Sequence, residues 1–358
     1  MKSQFGLINL LKAGAAQLIV LHHLAFYGPM ADVARPLLPE LIDWLAGSAR
    51  IAVQVFLVVG GFLAAKSLAP SGQPGIADPL GAVWRRYGKL APPFLAATLL
   101  AAVASSVAAG WMTHDSVSAP ATLGQLCAHA LLLHGVLGYP SLSAGAWYVA
   151  IDFQLYAATV LLLWLAARLP AGPLRHWLVP GAVALGVTLS LLYFNLDPDW
   201  DNWAPYFFGS YGLGMLAWWA SDLRRPSRNC ALLLFMGWLP TLAALLVAFR
   251  SRIALALVVA CLLFVYGRVK APSAGKLWSA VDALGRRSFA LFLVHFPVCL
   301  LVNAAFTRFV PADPALQAMG VVLAWSASLA ASEVFFRWVE TPLGRMLGAP
   351  RQRAAAAA

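Results

Sequence analysis

The chain has 358 residues, of which 61% are hydrophobic and only 11% charged, with a net charge of +11. Soluble domains carry roughly a quarter charged residues, so this chain lacks the polar surface to stand in water as a globule. Its basic residues fall in the gaps between apolar runs, where a membrane protein keeps its cytosolic positive charge, and a nucleic-acid partner is thereby excluded.

A membrane span needs about 20 apolar residues. Runs of that kind lie at about 6–27, 50–69, 88–110, 146–167, 176–195, 204–221, 230–249, 252–269, 287–307 and 316–339. The expected fold is therefore an all-α polytopic bundle of about ten transmembrane helices. Residues 1–345 form the membrane domain and 346–358 a disordered cytosolic tail. The first run follows Lys2 as a signal peptide would. Lys12, His22 and His23 interrupt it, and it is read as a retained span. The stretch 122–138, which holds His129 and His134, is short for a span and reads as a surface or re-entrant helix; the alternative is an eleventh span.

Charge tests this count. With the N-terminus in the cytosol, the inner gaps hold Lys66, Arg85, Arg86, Lys89, Arg168, Arg175, Arg224, Arg225, Arg228, Arg268, Lys270, Lys276, Arg286 and Arg287, while outer gaps collect Asp32, Glu40, Asp43, Asp115, Asp197, Asp199, Asp201 and Asp313. This is the positive-inside pattern with both termini cytosolic, and an eleventh span at 122–138 would invert it. The outer gaps hold only Arg35, Arg50, Arg250, Arg252 and Arg308, and the tight turn Arg250-Ser251-Arg252, with two cations, departs most from the pattern. Cys127, Cys230, Cys261 and Cys299 lie far apart with no CxxC spacing, so neither a disulfide framework nor a metal site is expected.

Ionisable residues inside a bilayer are costly and are functional candidates by default. Lys12 and His23 are eleven residues apart, about three helical turns, so they share a face separated by a rise of about 16 Å. His22 points about 80° away. A histidine at that depth can serve as a general base. Arg86 and Lys89, three apart, share a face at the start of the third run and suit phosphate groups, with free helix N–H groups expected to assist. Asp152, on the fourth run one turn from Tyr156, is placed to orient His23 as a carboxylate orients a catalytic imidazole. Ser288 and His295 share a face of the ninth run. Glu333, Arg337 and Glu340, at i, i+4 and i+7, read as a self-compensated charge cluster.

These fragments, in this order from Leu7 to about Arg345, resemble the acyltransferase-3 family of bacterial membrane O-acyltransferases. The resemblance rests on Lys12 and His23, on Val53 to Leu63 with its Gly60-Gly61-Phe62, and on Arg86 and Lys89 before Pro92. It also rests on Trp147 followed by Asp152 and Tyr156, on Ser288 to His295, and on Glu340-Thr341-Pro342. The chain departs from the family pattern at Gly60, where serine is usual, at Lys89, where arginine is usual, and at Asp152, where glutamate is common. Lysine cannot make arginine's planar two-pronged contact.

The resemblance implies a cytosolic acyl-CoA donor, usually acetyl-CoA, and a sugar or glycan acceptor handled at the outer side of a bacterial inner membrane. It implies His23 as the base with Asp152 beside it, and Lys12, Arg86 and Lys89 as the CoA-binding cations. Trp147, Tyr156 and His295 are expected to line the substrate path. The rival reading of ten spans with buried His, Asp and Glu is a proton-coupled transporter or a flippase of a polysaccharide precursor.

Overall fold

The computed structural model describes residues 4–170, 172, 175–268 and 276–348. The expected tail lies outside the described residues from 349 onward. Among the described residues there are helices and connecting turns and no strand. The α-helices are α1 (Gln4–Phe26), α2 (Pro29–Ala34), α3 (Pro39–Gly47), α4 (Val53–Leu68), α5 (Pro79–Ala109), α6 (Leu123–Ala130) and α7 (Ala146–Arg168). They continue with α8 (Arg175–Leu192), α9 (Ala204–Ala220), α10 (Ser227–Val247), α11 (Ser251–Arg268), α12 (Lys276–Phe309), α13 (Pro314–Phe335) and α14 (Thr341–Gly348).

Nine helices among the described residues are long and apolar enough to cross a membrane. The sequence leads to about ten, and the difference is α9. It has 17 residues, the short end of the spanning range, and 14 of them are buried. Its surroundings are protein rather than lipid, and it crosses α4 at close quarters. A Cβ on Gly61 would strike the Tyr211 carbonyl, and one on Gly214 the Val58 carbonyl. Close backbone approach through small residues is how membrane helices gain packing without a hydrophobic drive. Ser210 Oγ donates to Gln54 Oε1 at 2.6 Å, and Trp219 Nε1 donates to the Ala69 carbonyl at 2.7 Å, so the two helices run in the same sense. Lys12, near the start of α1, is within electrostatic reach of Glu340, past the end of α13. The two ends of the bundle thus share a side, which ten crossings satisfy and nine do not.

Two helices act as hubs. α12 packs on α1, α5 and α13, and α9 packs on α4, α8, α10 and α11. The central apolar cluster joins them, drawing Ile19, Val58, Phe94, Val149, Leu213, Val259 and Phe292 from seven helices.

The stretch 122–138 is not a span. Its helix α6 has eight residues, about 12 Å, started by Thr122 Oγ1 accepting from the Gln125 N–H at 3.2 Å. The chain then turns at Leu132, whose φ is 57°. Tyr87 Oη donates to the Ala130 carbonyl at 2.7 Å, and His129 and His134 stack on Phe94. Phe94 lies about 22 Å along α5 from the helix's C-terminal end at Ala109, so the segment folds back into the bundle as a re-entrant element.

Two further points differ from expectation. The third span begins at Pro79 rather than near 88, because Asp78 caps it, accepting from the Gly81 N–H at 2.8 Å, with Pro79 in the first turn. That N–H, together with the Arg85 guanidinium, holds the Asp78 carboxyl below its usual range. The cationic turn at Arg250 and Arg252 also has a structural purpose. Arg250 donates to the Leu191 carbonyl at 2.9 Å and to Asn195 Oδ1 at 2.7 Å, while Arg252 donates to Asn195 Oδ1 at 3.2 Å. The two cations satisfy carbonyls left free where α8 ends, as basic residues do at helix C-termini.

Candidate functional site

Three groups of polar residues involve the expected site residues: two include Lys12 or His23, on the shared face of α1, and one lies between α5 and α7.

The first group is a pair of imidazoles. His23 on α1 and His295 on α12 meet with Nδ1 of His23 2.6 Å from Nε2 of His295. Their rings are close to parallel, 8° apart, with centroids 4.9 Å apart. His295 Nδ1 lies 3.1 Å from the Leu291 carbonyl of its own helix. Tyr27 and Phe296, edge to face at 5.6 Å, form the wall beside His23, and Phe292 packs beside His295. Asn303 fixes the α1–α2 corner above them, accepting from the Met30 N–H at 3.2 Å. Gly28 there has a φ of 137°, and any side chain would collide with Asn303. His22 is committed elsewhere, with Nδ1 2.9 Å from the Leu45 carbonyl.

The second group is an ion pair. Arg86 on α5 pairs with Asp152 on α7, with side-chain exposures of 27% and 8%, low enough that bulk water does little to screen it. The guanidinium lies 5.2 Å over the Tyr156 ring, and Tyr148 and Tyr211 interact electrostatically with both charges. A Cβ at Gly60 would lie 3.4 Å from Asp152 Oδ1 and from the Tyr211 ring. The position where the family pattern has serine therefore faces this pair.

The third group is Lys12, Lys89 and Glu340. Glu340 Oε2 is buried with no hydrogen-bond partner among the described residues. Glu340 is absent from the expected cluster with Glu333 and Arg337. Instead, Glu333 is bridged by Arg337 and by Arg287 of α12. A π-helical turn over Phe336–Glu340 changes the helical phase, and this carries Glu340 toward Lys12.

An acyltransferase-3 family model, described as an acyltransferase domain, matches residues 6–332. The chain belongs to the acyltransferase-3 family. No curated protein and no solved structure matches it. As a member of that family it is a multi-pass membrane acyltransferase.

The structure separates some of the residues expected to act together and keeps others side by side. Asp152 does not reach His23. It is taken by Arg86, and His295 occupies the position at His23 Nδ1 expected for a carboxylate. Arg86 and Lys89 do not form one clamp at a helix N-terminus, because α5 begins two turns earlier; Arg86 faces inward to Asp152 while Lys89 joins Lys12. Tyr156 belongs to the Arg86 group. Trp147 packs on Phe207, with ring centroids 5.4 Å apart. Ser288 Oγ donates to the Gly285 carbonyl at 2.9 Å and so serves its own helix.

Tyr148 is the residue that reasoning from sequence passes over. Its ring lies 5.3 Å from Phe292, beside the imidazole pair, while its hydroxyl shares the field of Asp152 and Arg86. The signal was its spacing, one turn before Asp152 on the same face. A cleft of about 400 Å³ also opens on α1, lined only by apolar groups such as Leu11, Gly14, Leu18, Trp44, Val55 and Leu255. Gly14 and Leu18 point about 180° and 140° from His23, so this cleft faces away from the polar groups.

Proposed function

We propose that the protein transfers an acyl group, acetyl in the simplest case, from cytosolic acyl-CoA to a hydroxyl of a sugar or glycan at the outer side of a bacterial inner membrane. The observation that carries this reading is the buried imidazole pair with a cationic group below it on the same face of α1. Lys12 and Lys89 bind the CoA phosphates from the cytosolic side, and the pantetheine arm rises along α1. Arg86 and Asp152 form the polar wall that it passes, and Tyr148 joins that wall to His23.

His23 Nε2 removes the proton from the acceptor hydroxyl as its oxygen attacks the thioester carbonyl. The C–O bond forms, the C–S bond breaks, and the imidazolium returns the proton to the departing CoA thiolate. Holding donor and acceptor in one dry site supplies the orientation that water would not. His23 is 7% exposed, so the reading requires the Tyr27–Phe296 wall or the Arg86 group to part when substrates enter. Excess basic charge in the gaps on the Lys12 side supports placing that side in the cytosol.

The test is mass spectrometry of surface glycans from cells that make the wild-type protein, none, or His23→Ala inserted at the same level. The expected result is one acyl group present with the wild type and missing in the other two. Identical glycans in all three would refute the proposal.

A further inference from the structure

We propose that His295 is a positioning residue that fixes which nitrogen of His23 is the base, and that the two rings hold the reaction proton as a unit. This rests on the acyltransferase reading for its consequence, but the proton arrangement itself follows from hydrogen-bond geometry alone.

The Leu291 oxygen can only accept, so His295 Nδ1, 3.1 Å from it, carries a hydrogen. In a neutral imidazole the other nitrogen then holds a lone pair, so His295 Nε2 is an acceptor. Its partner at 2.6 Å is His23 Nδ1, which must therefore donate. That leaves His23 Nε2 as the lone-pair nitrogen, and it makes no hydrogen bond to any described residue. The opposite tautomer of His23 would set two lone pairs against each other at 2.6 Å. A charged His295 would turn Nε2 into a donor and force the hydrogen of His23 onto Nε2, which would abolish the base.

Accessibility agrees with this division. His23 keeps 7% exposure and His295 has 0%, so His23 is the ring on the side from which a substrate can approach. When His23 Nε2 takes a proton, its Nδ1–H bond to His295 becomes charge-assisted and stronger. The Nδ1 proton can cross to His295 Nε2, whose own Nδ1–H stays on the Leu291 carbonyl. One positive charge is then spread over two rings, and no proton is gained or lost elsewhere.

A catalytic triad does the same orienting with a carboxylate. A carboxylate at the centre of a spanning helix carries a cost of about 2.5–3.5 kcal/mol or more, and a neutral imidazole can orient its partner without a charge. This is also why Asp152 is free to serve Arg86.

The test has two arms on the full-length protein in lipid nanodiscs. The first reads ¹⁵N shifts of labelled histidine, assigned by comparison with His23→Gln and His295→Gln. His23 should be protonated on Nδ1 in the wild type and lose that preference in His295→Phe, which keeps an aromatic ring but accepts nothing. The second arm reads steady-state kinetics with acetyl-CoA as donor and, as acceptor, glycan extracted from cells lacking the protein. His295→Phe should lower kcat by about 10²- to 10⁴-fold, the range for a catalytic histidine held in the wrong tautomer, with KM for acetyl-CoA unchanged. His295→Gln, whose amide oxygen accepts from Nδ1, should restore most of the rate and shift the acid limb of the pH profile. A His23 protonated on Nε2 in the wild type would overturn the proposal, as would a His295→Phe enzyme with wild-type kcat and pH profile. No turnover even in the wild type would instead refute the acyltransferase reading, while the ¹⁵N arm would still judge the tautomer.

Discussion

Asp152 of α7 is ion-paired with Arg86 of α5, two charges brought together from 66 residues apart inside the helix bundle. This pairing separates the carboxylate from His23 and joins it instead to the tyrosines around Gly60. It makes the centre of the bundle a set of compensated charges rather than a single catalytic triad.

Breaking this pair leaves a lone buried charge, which costs about 3–5 kcal/mol. Arg86→Ala and Asp152→Ala should each lower the apparent melting temperature of the detergent-solubilised protein substantially. The double variant should be less destabilised than the sum of the singles, with a coupling of about 1–3 kcal/mol. Additive shifts across the cycle would show that the two side chains do not depend on one another.

The α4–α9 contact has no room for a methyl group on either backbone. Gly61→Ala and Gly214→Ala should each cost at least about 1–3 kcal/mol through overpacking and broaden the size-exclusion profile. Gly14→Ala, where a Cβ meets nothing within 4 Å, serves as the control and should elute as wild type. Equal profiles for all three would contradict the close crossing.

Much of this architecture is legible in the sequence, because a bilayer demands long apolar runs and the charge bias orients them. The face shared by Lys12 and His23 follows from helical periodicity on one element. The partners of those faces do not. Periodicity says which residues of α1 point together, but not that α12 brings His295 to His23 from 272 residues away. Nor does it show that a π-turn swings Glu340 out of phase with Arg337. The start of α5 was readable from Asp78-Pro79, yet the polar run from Arg85 to Lys89 hides it from any hydropathy window.

Lys12 and Lys89 interact electrostatically with Glu340, one of whose carboxylate oxygens has no hydrogen-bond partner among the described residues. If they hold the CoA phosphates, Lys12→Ala and Lys89→Ala should each weaken CoA binding about 10- to 100-fold, the worth of a charge-assisted hydrogen bond of about 1.5–3 kcal/mol. Glu340→Gln removes the competing carboxylate and should tighten binding. Thermal stabilisation by CoA against dephospho-CoA, measured at two salt concentrations, reads both effects. Unchanged affinity in all three variants would place the donor elsewhere.

The topology makes its own prediction. Arg225 donates to the Ser71 carbonyl, and Arg268 donates to the Ala220 carbonyl at 3.2 Å. The α4–α5, α9–α10 and post-α11 segments must then lie on one side of the membrane. Single cysteines at Ser71 and Arg224 should react with an impermeant thiol reagent only in inverted vesicles, and one at Asp199 only in intact cells. Labelling of Ser71 and Arg224 from opposite sides would remove α9 as a crossing.

We propose that His23 is the group that moves the proton during acyl transfer. The most direct measurement is the rate of CoA release from acetyl-CoA by protein reconstituted in liposomes, with unacylated glycan supplied, comparing wild type with His23→Gln at matched folding and matched CoA affinity. The expected result is a loss of at least about 10²-fold in kcat with donor binding intact. A His23→Gln protein that turns over at the wild-type rate would contradict it.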